Sequence, residues 1–220
     1  MKEGQPLPNI EIGLVQISHR AETFLGEYRI GTDRAGRFEL PNVAPNDRYY
    51  IYGKMNSLAG VGTVLAKEVA LGADNSDQDI GDLVAQPGYR ISGRVVLSDG
   101  NTLPPHTRLS IGREGAWDVQ VVELDEHGRF EAGDLPREKF SIFVRVPYYH
   151  ISTANPNLDR LNRQSVIGTI DRDIMEFLIV LEPGAPAVGG IGGDAQTFDQ
   201  RAMYEQPLRS ATLDASQPPQ

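Results

Sequence analysis

The sequence predicts an all-β protein, consisting of two antiparallel β-sandwiches in tandem and a flexible C-terminal tail. Three observations over the 220 residues lead to this fold class. A block of sequence occurs twice, apolar residues recur at every second position, and no stretch shows convincing helical periodicity. Short strands without crossover helices are typical of sandwiches with antiparallel pairing.

The repeat is clearest in the pattern Asp-x-x-Gly-Arg-Phe-Glu, which begins at Asp33 and again at Asp125. Its glycine recurs after 92 positions, and the Pro-Gly pair that closes each copy recurs after 96. Each copy has the size of a small domain, about 50 to 200 residues. We expect a first sandwich, a second sandwich and a tail, at residues 1–87, 88–183 and 184–220.

The repeated pattern predicts a turn followed by a strand. Aspartate suits the first position of a type I turn because its carboxylate accepts main-chain N–H groups, and glycine at the fourth position supplies a positive φ. Phe38 and Phe130 then begin the returning strand of a hairpin, with the phenyl ring facing inward. Alternating apolar positions predict further strands at 10–14, 91–95, 109–111 and 140–146.

The two copies differ at their start. The second copy opens with the alternating run 91–95, ahead of Gly100, whereas the first copy reaches the matching Gly4 almost at once. The first copy therefore lacks its opening strand. Three explanations are open: Met1 is an internal start in a longer protein, another chain supplies the strand, or a sheet edge is exposed. We expect the first of these.

Two segments outside the strands stand out. Residues 147–173 are long and polar, which predicts a functional or partly disordered loop. Residues 184–220 are rich in Gly, Ala, Pro and Gln, and such a composition does not bury enough apolar surface to offset ordering entropy. A short helix near 197–206 has weak support.

The charge balance excludes some classes of partner. Acidic residues outnumber basic ones by 30 to 21, for a net charge of -9, and no basic cluster exists to hold phosphates. Nucleic acid is therefore not expected as a partner. No apolar run approaches the roughly 18 residues of a membrane-spanning helix, so direct membrane insertion is not expected. Without cysteine there are no disulfides or thiolates, and no motif indicates a cofactor.

The Gly-Arg-Val at 93–95, the Asp-Gly at 99–100, the Leu-Pro pairs at 103–104 and 135–136, and the two turns resemble the carboxypeptidase regulatory-like domain family. The resemblance covers about residues 1–183. It implies a transthyretin-like (prealbumin-like, Ig-like) sandwich in each copy. It also implies a non-catalytic accessory, interaction or spacer module of a larger bacterial envelope or secreted protein. The location would be extracytoplasmic, and the partners would be proteins or other domains of the parent protein.

Residues that carry catalysis or bind metals show no recognisable spacing. The four histidines lie in separate segments, and we interpret them as solvated turn residues. Four aspartates could offer oxygen ligands to calcium, although their spacing is not that of an EF-hand: Asp74, Asp77, Asp79 and Asp82. We expect a solvated acidic loop there, no metal site and no enzyme activity.

An aromatic platform for carbohydrate is the alternative function. Trp117 is the sole tryptophan, and an indole beside polar groups can stack on a sugar ring. The candidate ligand-binding residues are Trp117, Arg113, Glu114, Asp118, Tyr148 and Tyr149. Structural packing of the indole is the interpretation that we favour, because burying its large apolar area is strongly stabilising.

Overall fold

The computed structural model describes residues 1–17, 26–74, 77–155 and 159–184. Residues Met1–Pro186 form one unit, and Ala187–Gln220 form another that lies outside the described residues. The expected tail and the short helix near 197–206 therefore fall outside the description, apart from Gly184. Below, residues 1–87 are called the first half and residues 88–184 the second half.

The described residues form thirteen strands and one 3-10 helix, Met55–Leu58, so the predicted all-β class is confirmed. The strands are β1 Glu11–Gln16, β2 Glu27–Gly31, β3 Arg48–Gly53, β4 Lys67–Ala70, β5 Tyr89–Leu97, β6 Arg108–Arg113, β7 Val119–Glu123, β8 Arg129–Leu135, β9 Glu138–Val144, β10 Tyr149–Ile151, β11 Asp159–Arg160, β12 Ser165–Ile170 and β13 Ile174–Pro183.

These strands form three sheets. The first sheet has the order β2-β1-β3-β4, the second β10-β13-β5-β8 and the third β11-β12-β9-β6-β7. The sequence predicts antiparallel pairing, and the structure differs at one pair, because β13 runs parallel to β5. These two strands are joined through all the intervening chain of the second half, so no hairpin forces them to be antiparallel.

The second and third sheets pack face to face around the larger core. Strands β6 and β9 alternate buried and less buried positions, as the period of two requires. The buried side chains at the centre include Ile91, Val95, Leu109, Ile111, Phe130, Phe140, Ile142, Ile179 and Leu181. This arrangement is the β-sandwich that the alternating pattern predicts.

The first sheet repeats part of the third. Its order β2-β1-β3-β4 matches β7-β6-β9-β12, and every pair in both sets is antiparallel. One face of the first sheet covers a separate core that includes Ile12, Leu14, Tyr49, Ile51, Leu58 and Leu83. The described residues of the first half contain no strand equivalent to β5, and no complete second sheet faces the first.

The Asp-x-x-Gly turn has the same geometry in both halves. The N–H of Gly36 donates to the Asp33 carbonyl over 3.0 Å, and that of Gly128 to the Asp125 carbonyl over 2.9 Å. Both glycines have a positive φ, +70° and +74°. The hairpin prediction is wrong, however. Strand β7 belongs to the third sheet and β8 to the second, so the turn carries the chain between sheets.

Two other segments differ from expectation. Residues 38–40 do not form a strand, whereas Phe130 lies in β8. Strand β8 pairs with β5, and no described strand offers residues 38–40 the same partner.

The segment 147–173, predicted as a loop, contains β10, β11 and β12. The β-branched residues of 166–170 favour an extended backbone in spite of the polar surroundings.

Candidate functional site

A buried ionic cluster lies where the two halves meet, and two of the predicted site residues belong to it. Arg113 ends β6 and Asp118 precedes β7, and the N–H of Arg113 donates to the Asp118 carbonyl over 3.0 Å across the turn. Their side chains are 0% and 1% exposed, with Nη1 3.5 Å from Oδ2. Lys54, Glu27 and Glu138 complete the cluster.

The guanidinium group of Arg113 donates hydrogen bonds to groups in both halves. It donates to Glu138 from Nε to Oε2 over 2.8 Å and from Nη2 to Oε1 over 2.7 Å. The same group donates to the carbonyls of Gly53 and Val64, each over 3.1 Å. Planar geometry and fixed donors suit arginine to such a site. These bonds offset the cost of removing the cation from water.

Glu138 extends this contact with the first half. Its Oε1 accepts the N–H of Ala66 over 2.7 Å, while Arg113 donates to the Val64 carbonyl nearby. One side-chain ion pair of the second half therefore satisfies main-chain groups of both polarities in the segment before β4. Buried main-chain groups need such partners.

Lys54 provides the cation of the first half. Its ammonium lies 2.9 Å from Glu27 Oε1, 2.8 Å from the Trp117 carbonyl and 3.8 Å from Asp118 Oδ1. The Tyr52 hydroxyl donates to Glu27 and accepts the N–H of Trp117 over 3.1 Å. The Lys54 ammonium and the Arg113 guanidinium lie 5.9 Å and 5.3 Å from the centre of the Tyr52 ring, within reach of a cation–π interaction.

Burial also affects the ionisation of the cluster. It raises the pKa of the Asp118 carboxyl, while Lys54, the N–H of Met55 and Arg113 oppose the shift. Burial and the adjacent Glu27 carboxylate raise the pKa of the Tyr52 phenol, so Tyr52 remains a donor. Arg29 at the edge of the cluster, with a side chain 38% exposed, also pairs with Glu27, so three cations accompany the three carboxylates.

The 3-10 helix adds an apolar contact beside the charges. Met55 is 4% exposed and lies in the core of the sandwich formed by the second half. Its N–H donates to Asp118 Oδ2 over 2.8 Å. A residue of the first half thus contributes both a hydrogen bond and buried apolar surface to the second half.

The other predicted platform residues occupy different environments. Trp117 is partly buried against Val15, Tyr52 and Ala116, and Glu114 is exposed. The antiparallel register pairs Arg113 with Phe140. The Trp117 turn therefore lies at the start of β9, whereas Tyr148 and Tyr149 follow the end of β9.

Tyr148 is 70% exposed. The Tyr149 hydroxyl donates to Asp99 Oδ2 over 2.7 Å. The structure brings Arg113, Asp118 and Trp117 together but does not bring Tyr148 and Tyr149 to them. Carbohydrate binding stays a prediction.

Sequence reasoning missed Lys54, Glu27, Glu138 and Tyr52. Tyr52 and Lys54 are neighbours, but Glu27 and Glu138 lie far from them in the chain, so no spacing motif could connect the set. The available signal is Lys54 itself, a cation between Gly53 and Met55 directly after the apolar strand β3. A lysine next to such a strand needs a buried anion or a route to water.

Neither a metal site nor a membrane-spanning helix is found within the described residues. No group of three or more His, Cys, Asp or Glu side chains there is arranged to hold a metal ion. Asp79 instead accepts the N–H of Gly81 over 2.8 Å. Within the same ranges, no helix has the length and apolar character needed to cross a membrane.

Comparison with known proteins gives similarity in structure alone. No protein family and no curated protein matches the sequence. GBS52, the minor pilin of Streptococcus agalactiae, is 15% identical with a TM-score of 0.37, over 86% of this chain and 89% of that one. The Bacillus anthracis TIE protein is 15% identical with a TM-score of 0.33, over 83% and 32%. The shaft pilin SpaA of Lactobacillus rhamnosus GG is 10% identical with a TM-score of 0.32, over 82% and 90%.

Proposed function

We propose that the chain is a non-catalytic accessory module whose two halves form one stiff spacer and whose surfaces contact protein partners. The observation that carries the proposal is the buried ionic cluster. Its five charged side chains come from both halves and bind one another and nearby main-chain groups. Such a set fixes the relative position of the groups that it joins, since separating them would leave buried charges without partners.

The connection between the halves supports the same conclusion. Gly88, the first residue of the second half, packs tightly within that half, because a Cβ placed on it would be 2.5 Å from the Asp134 main chain. The N–H of Gly60 donates to the Asp134 carboxylate over 2.7 Å. With Met55 in the sandwich core, contacts between the halves occur at several separate points. Several contacts restrict bending more than one flexible junction would.

The finer assignment follows the sequence. The repeated Asp-x-x-Gly-Arg-Phe turn supports membership of the carboxypeptidase regulatory-like family, in two copies, and an extracytoplasmic location in a larger protein. A net charge of -9 favours protein partners over nucleic acid. Edges and loops of the sheets would carry the contacts, because those surfaces remain free when the inner faces are buried.

Distance measurements between spin labels test the stiffness. The chain has no cysteine, so a double variant with Glu11→Cys and Leu178→Cys carries one label in each half and no label elsewhere. We expect a single narrow distance distribution, as narrow as that of a control pair, Val121→Cys with Leu178→Cys, within the second half. A distribution much broader than the control, or one with several maxima, would rule out the stiff spacer.

A further inference from the structure

Three side chains form a row across the outer face of the second sheet. The strand registers place Arg94 on β5 opposite Arg129 on β8 and opposite Leu178 on β13. The alternation of β5 directs Ile91 and Val95 into the core, so Arg94 and its two neighbours point to solvent. Both arginines are exposed, and Leu178 is 45% exposed.

The two arginines are placed unfavourably for the stability of the sheet. Directly opposite residues of an antiparallel pair have Cβ atoms about 4.5–5.5 Å apart, and like charges at that separation destabilise the pairing. Within the described ranges, neither guanidinium forms an ion pair or a side-chain hydrogen bond. Arg90, on the same face of β5, instead lies 3.1 Å from Glu131. The sheet therefore carries two adjacent cations without an ion pair.

An open cleft lies over this row of side chains. Arg94, Arg129 and Leu178 all line it, together with Phe177. A Cβ on Gly93 would be 1.9 Å from the Phe177 carbonyl oxygen, so glycine is needed for β13 to approach β5 this closely. The register of β13 shifts just before Phe177, as at a β-bulge, and bulges often re-aim side chains beside functional sites. Beyond the shift, Leu178 lies opposite Arg94.

The carboxylates of the cleft do not neutralise these arginines. Four of them line it, Glu123, Asp125, Glu131 and Glu176. Glu123 pairs with cations outside the cleft, Glu131 pairs with Arg90, and Asp125 accepts main-chain N–H groups of its own turn. Glu176 forms no ion pair among the residues that the structure describes. The arginines are thus available to an anion, while the surrounding negative charge favours a singly charged ligand over a dianion.

We propose that Arg94 and Arg129 bind a carboxylate of a protein partner, with Leu178 contacting an apolar residue next to it. A guanidinium group presents planar donors that match the two oxygens of a carboxylate. Two such groups on adjacent strands hold one carboxylate between them, and the bound charge removes their repulsion. The ligand is an acidic side chain beside apolar residues in an exposed segment of the partner. The proposal rests on the proposed role in protein contacts and adds the chemistry of one partner.

Nuclear magnetic resonance of the 220-residue chain tests the site with the peptide acetyl-Leu-Glu-Leu-amide, whose only charge is the glutamate carboxylate. The Nε–Hε signals of Arg94 and Arg129 should shift saturably, whereas that of Arg90, already paired with Glu131, should not. Acetyl-Leu-Gln-Leu-amide should cause no shift, because it lacks the charge. Acetate should bind at least about three-fold more weakly than the glutamate peptide, since it makes no contact with Leu178. Inorganic phosphate, as the dianion, should also bind more weakly.

Substitution of either arginine should weaken binding. Arg94→Gln and Arg129→Gln should each raise the dissociation constant of the glutamate peptide about three- to five-fold, as expected for exposed ion pairs. Because it removes the like-charge pair, Arg94→Gln should also shift the unfolding of the free protein to a higher urea concentration. Arg172→Gln, at a side chain 81% exposed, is the matched control and should change neither quantity.

Four results would overturn the proposal. These are no saturable shift of either arginine signal, equal binding of the glutamine peptide, equal binding of acetate, and tighter binding of phosphate than of the glutamate peptide. Unfolding of Arg94→Gln at a lower urea concentration than the wild type would contradict the repulsion on which the site depends. The spin-label distances are measured without peptide, so the stiff spacer can fail or survive independently of this test.

Discussion

The Lys54 ammonium lies 2.8 Å from the main-chain oxygen of Trp117, so the turn between β6 and β7 binds a cation carried by the other half. The same turn positions Asp118, which accepts the N–H of Met55. The segment around Trp117, for which sugar binding was the alternative function predicted from the sequence, thus binds the residues that follow β3.

Replacing Arg113 with methionine should destabilise the protein strongly. The variant leaves Glu138 and Asp118 without their shared cation, and removal of one partner from a buried ion pair costs about 3–5 kcal/mol. Chemical denaturation measures the free energy of unfolding. Arg48→Met is the control, because Arg48 and Glu68 are 64% and 42% exposed, and such pairs contribute about 0–1 kcal/mol. Equal losses in the two variants would contradict the role assigned to the cluster.

Lys54 and Glu27 should be energetically coupled. A double-mutant cycle with Lys54→Met and Glu27→Gln should give a coupling free energy of about 0.5–3 kcal/mol, the range for residues in one charged network. Both side chains are nearly buried, 9% and 4% exposed, so salt should screen the coupling little. Additive effects of the two substitutions would show that the pair makes no specific contribution.

Asp118→Asn should alter the pH dependence of stability in a definite direction. Burial raises the pKa of Asp118 in the folded protein above its ordinary 3.8, so the folded state binds this proton before the unfolded state does. As pH falls from neutral towards 3.8, the wild type should therefore gain stability relative to Asp118→Asn.

Asp125→Asn is the control of opposite sign. Main-chain N–H groups of Arg129 and His127 lower the pKa of Asp125, so the contribution of this carboxylate is lost as pH falls through that lowered pKa. Denaturation curves from neutral pH to below the lowered pKa of Asp125 check both signs. Parallel profiles for the two variants would contradict the burial assigned to Asp118.

Alanine substitutions at three glycines with similar φ distinguish the cost of backbone strain from the cost of steric crowding. Gly100, Gly36 and Gly128 have φ of +78°, +70° and +74°. A Cβ at Gly100 meets nothing within 4 Å, one at Gly36 meets Pro6 at 2.9 Å, and one at Gly128 meets the Val95 carbonyl oxygen at 2.2 Å. Alanine should cost about 1–2 kcal/mol at Gly100 from the left-handed backbone alone.

The loss should increase from Gly100 through Gly36 to Gly128. The Val95 oxygen belongs to a paired strand and has the least freedom to move away. Thermal unfolding of the three alanine variants gives the ranking. A Gly128→Ala variant as stable as Gly100→Ala would mean that the turn does not press against β5.

The repeated turn and the strand alternation were predictable from sequence because both depend on neighbouring residues. Asp33 and Gly36 lie within one turn, and the period of two is visible in the run that becomes β5. The wrong hairpin has a physical cause. A type I turn looks the same in sequence whether the next strand returns in the same sheet or crosses to the facing one.

The buried ionic cluster was not predictable in this way. Lys54 meets Trp117 across 63 positions of sequence, and Arg113 meets Gly53 across 60. Such contacts follow from how the halves pack, which no local pattern encodes. Arg113 and Asp118 were candidate ligand-binding residues because they are charged and lie beside an indole. In the structure both side chains are buried, and their charges pair with other groups of the protein.

The parallel pair of β5 and β13 has a mechanical consequence. Tyr89 begins β5, Pro183 ends β13, and the register places these residues at opposite ends of the pair. Tension applied to the chain on either side of the second half would load the hydrogen bonds between the two strands together, in shear, instead of opening them one after another. A sandwich with its entering and leaving strands side by side is suited to carry a pulling force.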